Sequence, residues 1–252
     1  MKKAAFFIAV VFFVFWGLWI IAIPNKFVSD YISNSLKRYN IIIDLDSFEK
    51  GLFYSIKKQN VQISSTDGTL ILVINNLKAG INFASFLKLS PKIDIHCNIN
   101  KGDVDGNIGF KKGTGLVARI KGSGIDIKDL PVVEKLYGIS GTGDINFDFL
   151  KIKDKSNIKF SLNNADIKSI GLIPFDLFKK MRGEMFEENG LITVKSLAME
   201  GNGIYARAKG YIKGNKRDLK MEIMVNSSSD MKPSYLEALE KYRVSPGYYV
   251  IR

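Results

Sequence analysis

A single cysteine, Cys97, and a single histidine, His96, are all that this 252-residue chain offers of thiol and imidazole chemistry. One cysteine cannot close an internal disulfide, and a zinc site built mainly from Cys and His lacks ligands. Ser-His, Cys-His and His-based acid–base catalysis would each have to run through His96. No G-x-S-x-G elbow, P-loop or H-E-x-x-H motif occurs. These absences predict a protein that is not an enzyme and holds no metal or cofactor. Charge is unbalanced, with 37 Lys and Arg against 25 Asp and Glu. The basic residues are spread along the chain, with no Arg-rich run and no RNA-recognition signature, so nucleic acid is not the expected partner. A surface close to anionic lipid head groups accounts for the excess. Apolar residues make up 46%, enough to pack a core.

The N-terminus differs from the rest. Met1-Lys2-Lys3 precedes twenty uncharged residues, Ala4 to Ile23. At about 1.5 Å per residue they span roughly 30 Å, the thickness of a bilayer core. Trp16 and Trp19 lie toward the far end, as interface anchors do, and Pro24 stops the helix. The run is long for a signal peptide and ends without A-x-A, so residues 1–25 read as an uncleaved anchor. Its apolar and aromatic residues include Phe6, Phe13, Trp16 and Trp19. Flanking charges nearly tie, and long domains translocate regardless of them. The expectation is a single-pass inner-membrane protein with its bulk in the periplasm. Over residues 26–40, Phe27, Val28, Tyr31, Ile32, Ser35 and Leu36 recur at helical spacing, predicting a short amphipathic helix beside the membrane.

Beyond Asn40 the period becomes two. Ile93, Ile95, Cys97 and Ile99 alternate with Asp94, His96 and Asn98. Ile145, Phe147 and Phe149 alternate with Asn146 and Asp148, and Ile158, Phe160 and Leu162 with Lys159 and Ser161. Leu219, Met221 and Ile223 alternate with Lys220 and Glu222. Such alternation marks antiparallel strands with one buried face. Turn signals stand between the runs: Thr66-Asp67-Gly68, Lys101-Gly102-Asp103, Lys112-Gly113, Gly141-Thr142-Gly143, Asn189-Gly190, Gly201-Asn202-Gly203 and Gly214-Asn215. Three short helices are expected, from Pro131 to Tyr137, from Pro174 to about Met181, and from Pro233 to about Tyr242. Residues 41–252 therefore read as a mainly β domain, a long antiparallel curved sheet with a few short helices. With so little helix to cover it, the apolar face either curves into a trough or closes into a barrel or sandwich. Candidate groove-lining residues are Ile93, Ile95, Ile99, Ile145, Phe147, Phe149, Phe160, Leu162, Met221 and Ile223.

Two formal motifs carry no chemistry. Gly113-Thr114-Gly115 and Gly201-Asn202-Gly203 match G-x-G-x-x-A, but strands rather than helices follow, so no helix N-terminus faces a phosphate. Asp103-Val104-Asp105-Gly106-Asn107 opens like a calcium loop but has Ile108 and Thr114 where Gly and Glu are needed, so it reads as an Asp/Gly turn. His96 and Cys97 are strand neighbours on opposite faces, which leaves His96 facing solvent.

Three segments carry a family resemblance. Residues 86–110 read FLKLSPKIDIHCNINKGDVDGNIGF, a Leu-x-x-x-Pro segment running into strands and a Gly-rich turn. Residues 120–149 read IKGSGIDIKDLPVVEKLYGISGTGDINFDF, where an apolar strand leads to a short helix and a Gly-x-Gly strand. Residues 189–212, NGLITVKSLAMEGNGIYARAKGYI, follow the same strand–Gly–strand plan. With the N-terminal anchor, they resemble protein N (GspN) of the bacterial type II secretion system, in the form found with AsmA-like proteins. The resemblance implies a non-enzymatic accessory component of that apparatus in the inner membrane, contacting other secretion-system envelope proteins. For AsmA-like relatives it implies lipid binding or transfer through an apolar β-groove.

Overall fold

The computed structural model describes residues 10–11, 13–51, 54–87, 90–111, 113–168, 175–214 and 216–251. Beyond Asn40 the chain is strand after strand. The first are β1 (Ile41–Ile43), β2 (Glu49–Gly51), β3 (Ser55–Ser65), β4 (Leu70–Asn82) and β5 (Lys92–Ile99). Then come β6 (Gly102–Lys111), β7 (Gly115–Asp126), β8 (Gly141–Ile152), β9 (Lys155–Ile167) and β10 (Phe178–Glu188). The last are β11 (Leu191–Gly201), β12 (Ile204–Lys213), β13 (Lys216–Val225), β14 (Arg243–Ser245) and β15 (Tyr248–Ile251). All belong to one antiparallel sheet, in which each strand from β3 to β13 pairs with the next in the chain. β1 and β2 flank β3 at one edge, and β15 followed by β14 forms the other. The two edges do not meet, so the sheet is open and curved rather than a closed barrel.

The curvature has a local cause. Register shifts interrupt β4 between Asn75 and Lys78, β7 between Gly122 and Ile125, and β11 between Val194 and Leu197. In β8–β9 the shift lies between the pairs Thr142–Asp166 and Asp144–Asn163. Asn76, Gly124 and Asn164 take positive φ at three of these sites. Each bulge sets two residues against one, bends its strand and adds twist, so a series of them curls the sheet.

Among the described residues beyond Pro24, four α-helices accompany it: α1 (Asn25–Lys37), α2 (Phe83–Leu87), α3 (Pro131–Tyr137) and α4 (Pro233–Glu240). α3 and α4 start at proline, where the missing N–H costs nothing. Both connect strands at the same end of the sheet and cover its apolar face there. Val133 of α3 and Tyr235, Leu236 and Leu239 of α4 pack on a cluster containing Leu162, Met181, Met199, Ala206 and Ile223. Leu239 is 1% exposed, and burial of that order stabilises by about 2 kcal/mol. A second cluster, Leu45, Val61, Ile74, Cys97, Ile99 and Ile125, is covered by Ile32 of α1 and by Leu130. Ile145 packs against both clusters.

Three expectations need correction. Gly141–Gly143 is the start of β8, not a turn, and Asp103–Asn107 lies within β6. In β6 the acidic residues alternate with Val104 and Gly106, and alternation outweighs turn composition. The segment from Phe178 to Met181 is strand β10, paired with β9 and β11, and only Phe175–Leu177 makes a 3-10 turn. Pro174 lies outside the described residues.

Candidate functional site

Direct partners in adjacent strands, and residues two apart along one strand, share a face of a sheet. Following partners across the strands gives continuous rows on the apolar face. The row nearest α3 and α4 includes Ile125, Ile145, Leu162, Met181, Met199, Ala206, Ile223 and Tyr249. Nearly all of it is buried. The next row contains Cys97, Val104, Gly122, Phe147, Phe160, Gly183 and Leu197. Here each phenylalanine lies over a glycine. A Cβ added at Gly122 would sit 2.3 Å from Phe147 Cε1, and one at Gly183 would sit 2.5 Å from Phe160 Cε1. The rings fill the space that a side chain would take.

One step further from α3 and α4 lies a row that no helix among the described residues covers. From β3 to β7 it reads Ile56, Ala79, Ile95, Gly106 and Ile120. From β8 to β13 it continues Phe149, Ile158, Met185, Val194, Gly210 and Leu219. Every residue is apolar or glycine, and all but Val194 are only half-buried. The outermost row begins Ile81, Ile93, Ile108 and Ala118 and ends Ile192, Ile212 and Arg217. Between these stand Lys151, Ser156 and Glu187. The apolar face therefore has a packed half and an open half.

The ten residues singled out from the sequence all lie on this face. Ile93, Ile95 and Phe149 stand in the open half, with Ile93 46% exposed. Phe147, Phe160 and Met221 lie at its border. Ile99, Ile145, Leu162 and Ile223 sit in the packed clusters, so they line no open groove; α1, α3, α4 and their flanking loops cover them. Alternation reveals a face but not how far along a strand a helix lies on it. Lys151, Ser156 and Glu187 were missed, although one more step of period two from Phe149 and from Ile158 reaches Lys151 and Ser156.

The opposite face is a ladder of exposed charge. His96 Nδ1 lies 2.7 Å from Asp105 Oδ1, and Arg119 holds Asp148 at 2.6 Å. Lys159 and Lys195 flank Glu184 at 3.9 and 3.3 Å. The Arg119 hydrogen bond holds the Asp148 carboxyl below its usual range, and an Asn157 hydrogen bond does the same for Glu184. Exposed pairs of this kind contribute little each, and they make a solvated surface. A cleft of about 650 Å³ is lined by Ile56, Ala79 and Ile95 of the open row as well as by Lys57, His96 and Arg119. Cys97 points the other way and is buried. Among the described residues no group of three or more His, Cys, Asp and Glu is placed to hold a metal ion.

The N-terminal segment docks at the open end. Residues 13–17 are α-helical, and Leu18–Ala22 form a π-helical turn that ends before Pro24. Trp19 Nε1 donates to Gly51 O at 3.3 Å, and its ring lies 5.4 Å from that of Tyr54. Tyr54 Oη donates to Phe15 O at 2.9 Å and its ring neighbours Phe83 of α2. Lys50 Nζ donates to the carbonyls of Trp19 and Ile23, satisfying helix-end acceptors. Trp16 packs edge-on against Phe13, and Phe13, Val14, Phe15, Leu18 and Ile21 are exposed. Phe6 lies outside the described residues. Among the described residues no helix is long and apolar enough to cross a membrane. α1 begins and ends close to the expected 26–40. It buries Ser29 and packs Ile32 on the core, while Phe27 and Tyr31 face outward.

No family model, curated protein or solved structure matches the chain.

Proposed function

We propose that the protein is a membrane-anchored lipid-binding protein, not an enzyme, that holds acyl chains along the open half of its apolar face. One observation carries this reading: the row from Ile56 to Leu219, half-buried at all but Val194, crosses eleven strands without a polar side chain and, among the described residues, without a covering helix. An uncovered apolar surface of that extent calls for an apolar ligand. The N-terminal apolar segment supports it, because Trp19 and Tyr54 fasten that segment to the same open end. In this reading residues 1–25 anchor the chain in a bacterial inner membrane, and residues 41–252 stand in the periplasm with the open end beside the bilayer.

A photo-crosslinking residue at Phe149 tests it in living cells, with a control at Asp148 on the opposite face. Lipid adducts at 149 and none at 148 are expected. A folded protein without lipid adducts at 149 overturns the reading.

A second reading, a scaffold within a type II secretion apparatus, is favoured by the edge strand. All three residues of β14 are exposed, and Val244 is 64% exposed. An uncovered edge offers a strand to a partner. The scaffold predicts protein adducts from a probe at Val244 and co-purification that is lost with Val244→Pro.

A further inference from the structure

We infer that Lys151, Ser156 and Glu187 form a seat for a zwitterionic lipid head, a phosphate carrying an ammonium group. The inference rests on the acyl-chain reading above and deepens it. These three residues stand side by side on β8, β9 and β10, in the outermost row of the apolar face. They are the only polar residues between Ala118 and Ile192 in that row, and all three are half-buried.

Their charges are not matched among the described residues. On the opposite face Asp148, Glu184 and Glu188 each have a Lys or Arg within 4 Å. Lys151 has no ion-pair partner among the described residues, and neither has Glu187. Among the described residues Glu187 accepts from Ser156 Oγ at 3.1 Å and from the Gly190 N–H at 3.1 Å. An ammonium and a carboxylate thus sit two strands apart, about 10 Å between backbones, with a hydroxyl between them.

An anion alone suits Lys151 and is repelled by Glu187; a cation alone meets the reverse. A head with both signs satisfies both ends: its phosphate accepts from Lys151, and its ammonium donates to Glu187, whose carboxylate the Ser156 hydroxyl holds in place. The seat lies one step from Phe149 and Ile158, so an acyl chain leaving the head meets the uncovered apolar row at once. A head group near the rim and a chain on the apolar face is the arrangement that keeps both in their preferred surroundings.

The test uses the full chain in detergent micelles and three acyl-labelled probes: phosphatidylethanolamine, phosphatidylglycerol and a fatty acid. The wild type is expected to prefer phosphatidylethanolamine. Lys151→Met and Glu187→Gln are each expected to weaken it about tenfold. Glu187→Gln should bring phosphatidylglycerol closer to it or above it, because the repulsion is gone. The double exchange of Lys151→Glu with Glu187→Lys should restore the preference lost in either single change, which separates a seat from mere loss of fold. Equal binding of all three probes by the wild type, or single variants with unchanged preference, overturns the seat and leaves the acyl-chain reading standing. Failure of every probe to bind the wild type overturns both.

Discussion

Cys97 occupies a strand position with Asp105 and His96 near it but on the other face. Burial, and secondarily the Asp105 charge, push its thiol up from its ordinary value to about 11. The thiolate is the reactive form, so the native side chain is expected to be inert at pH 8. Iodoacetamide should alkylate the native chain far more slowly than the urea-unfolded chain; similar rates would mean that the apolar face is open at Cys97 as well. The same shift sets a sign. The folded state holds the proton longer than the unfolded state, so the contribution is complete below pH 9 and lost as pH rises toward 11. Asp148 runs the other way: its contribution with Arg119 is present above pH 3.8 and lost in acid. The pair is partly exposed, so the effect is small. Residue choice on the apolar face follows equally direct rules. Phe147 and Phe160 need Gly122 and Gly183 beneath them, since any β-carbon there would enter the ring.

Strands become curved elements here through bulges, and the bulge residues are a place to test that. Asn164 has φ +52° in β9, opposite Gly143. Asn tolerates this conformation and a β-branched residue does not. Asn164→Gly is expected to keep stability, whereas Asn164→Val should lose about 1–2 kcal/mol, read from urea midpoints at unchanged slope. A variant with Val that is as stable as wild type would mean that this bulge carries no strain. The bulges also explain which elements were legible in the sequence. β5, β8, β9 and β13 showed clean alternation because their exposed and buried positions run unbroken over most of their length. β7 and β11 did not, because Gly124 and the Lys195–Ser196 step switch faces midway. Glycine-rich starts of strands, as at Gly141 and Gly143, were read as turns, since close backbone approach and turn formation call for the same residue. Of the site, Ile95, Phe149 and Phe160 were found by alternation. Met185 and Val194 were not, because β10 and β11 shift register between Glu184 and Met185.

At the scale of the molecule the two halves of the sheet differ in support. The end under α3 and α4 has packed clusters, whereas the other end has one layer of half-buried side chains. Local opening takes least free energy where apolar contacts are fewest. Hydrogen exchange is therefore expected to be slow around Leu162, Met199 and Ile223 and faster around Lys151, Ile192 and Ile212. Uniform protection along the strands would contradict the division into halves. The chain-order pairing has a further consequence. From β3 to β13 every hairpin contacts its neighbours and adds the same increment of width, so the sheet is a ruler graduated in hairpins. Ten spacings of about 4.8 Å make a span of about 48 Å. Inserting or deleting one hairpin would change that span by about 10 Å and leave the cross-section of the surface as it is, so the reach of such a protein is open to adjustment by duplication alone.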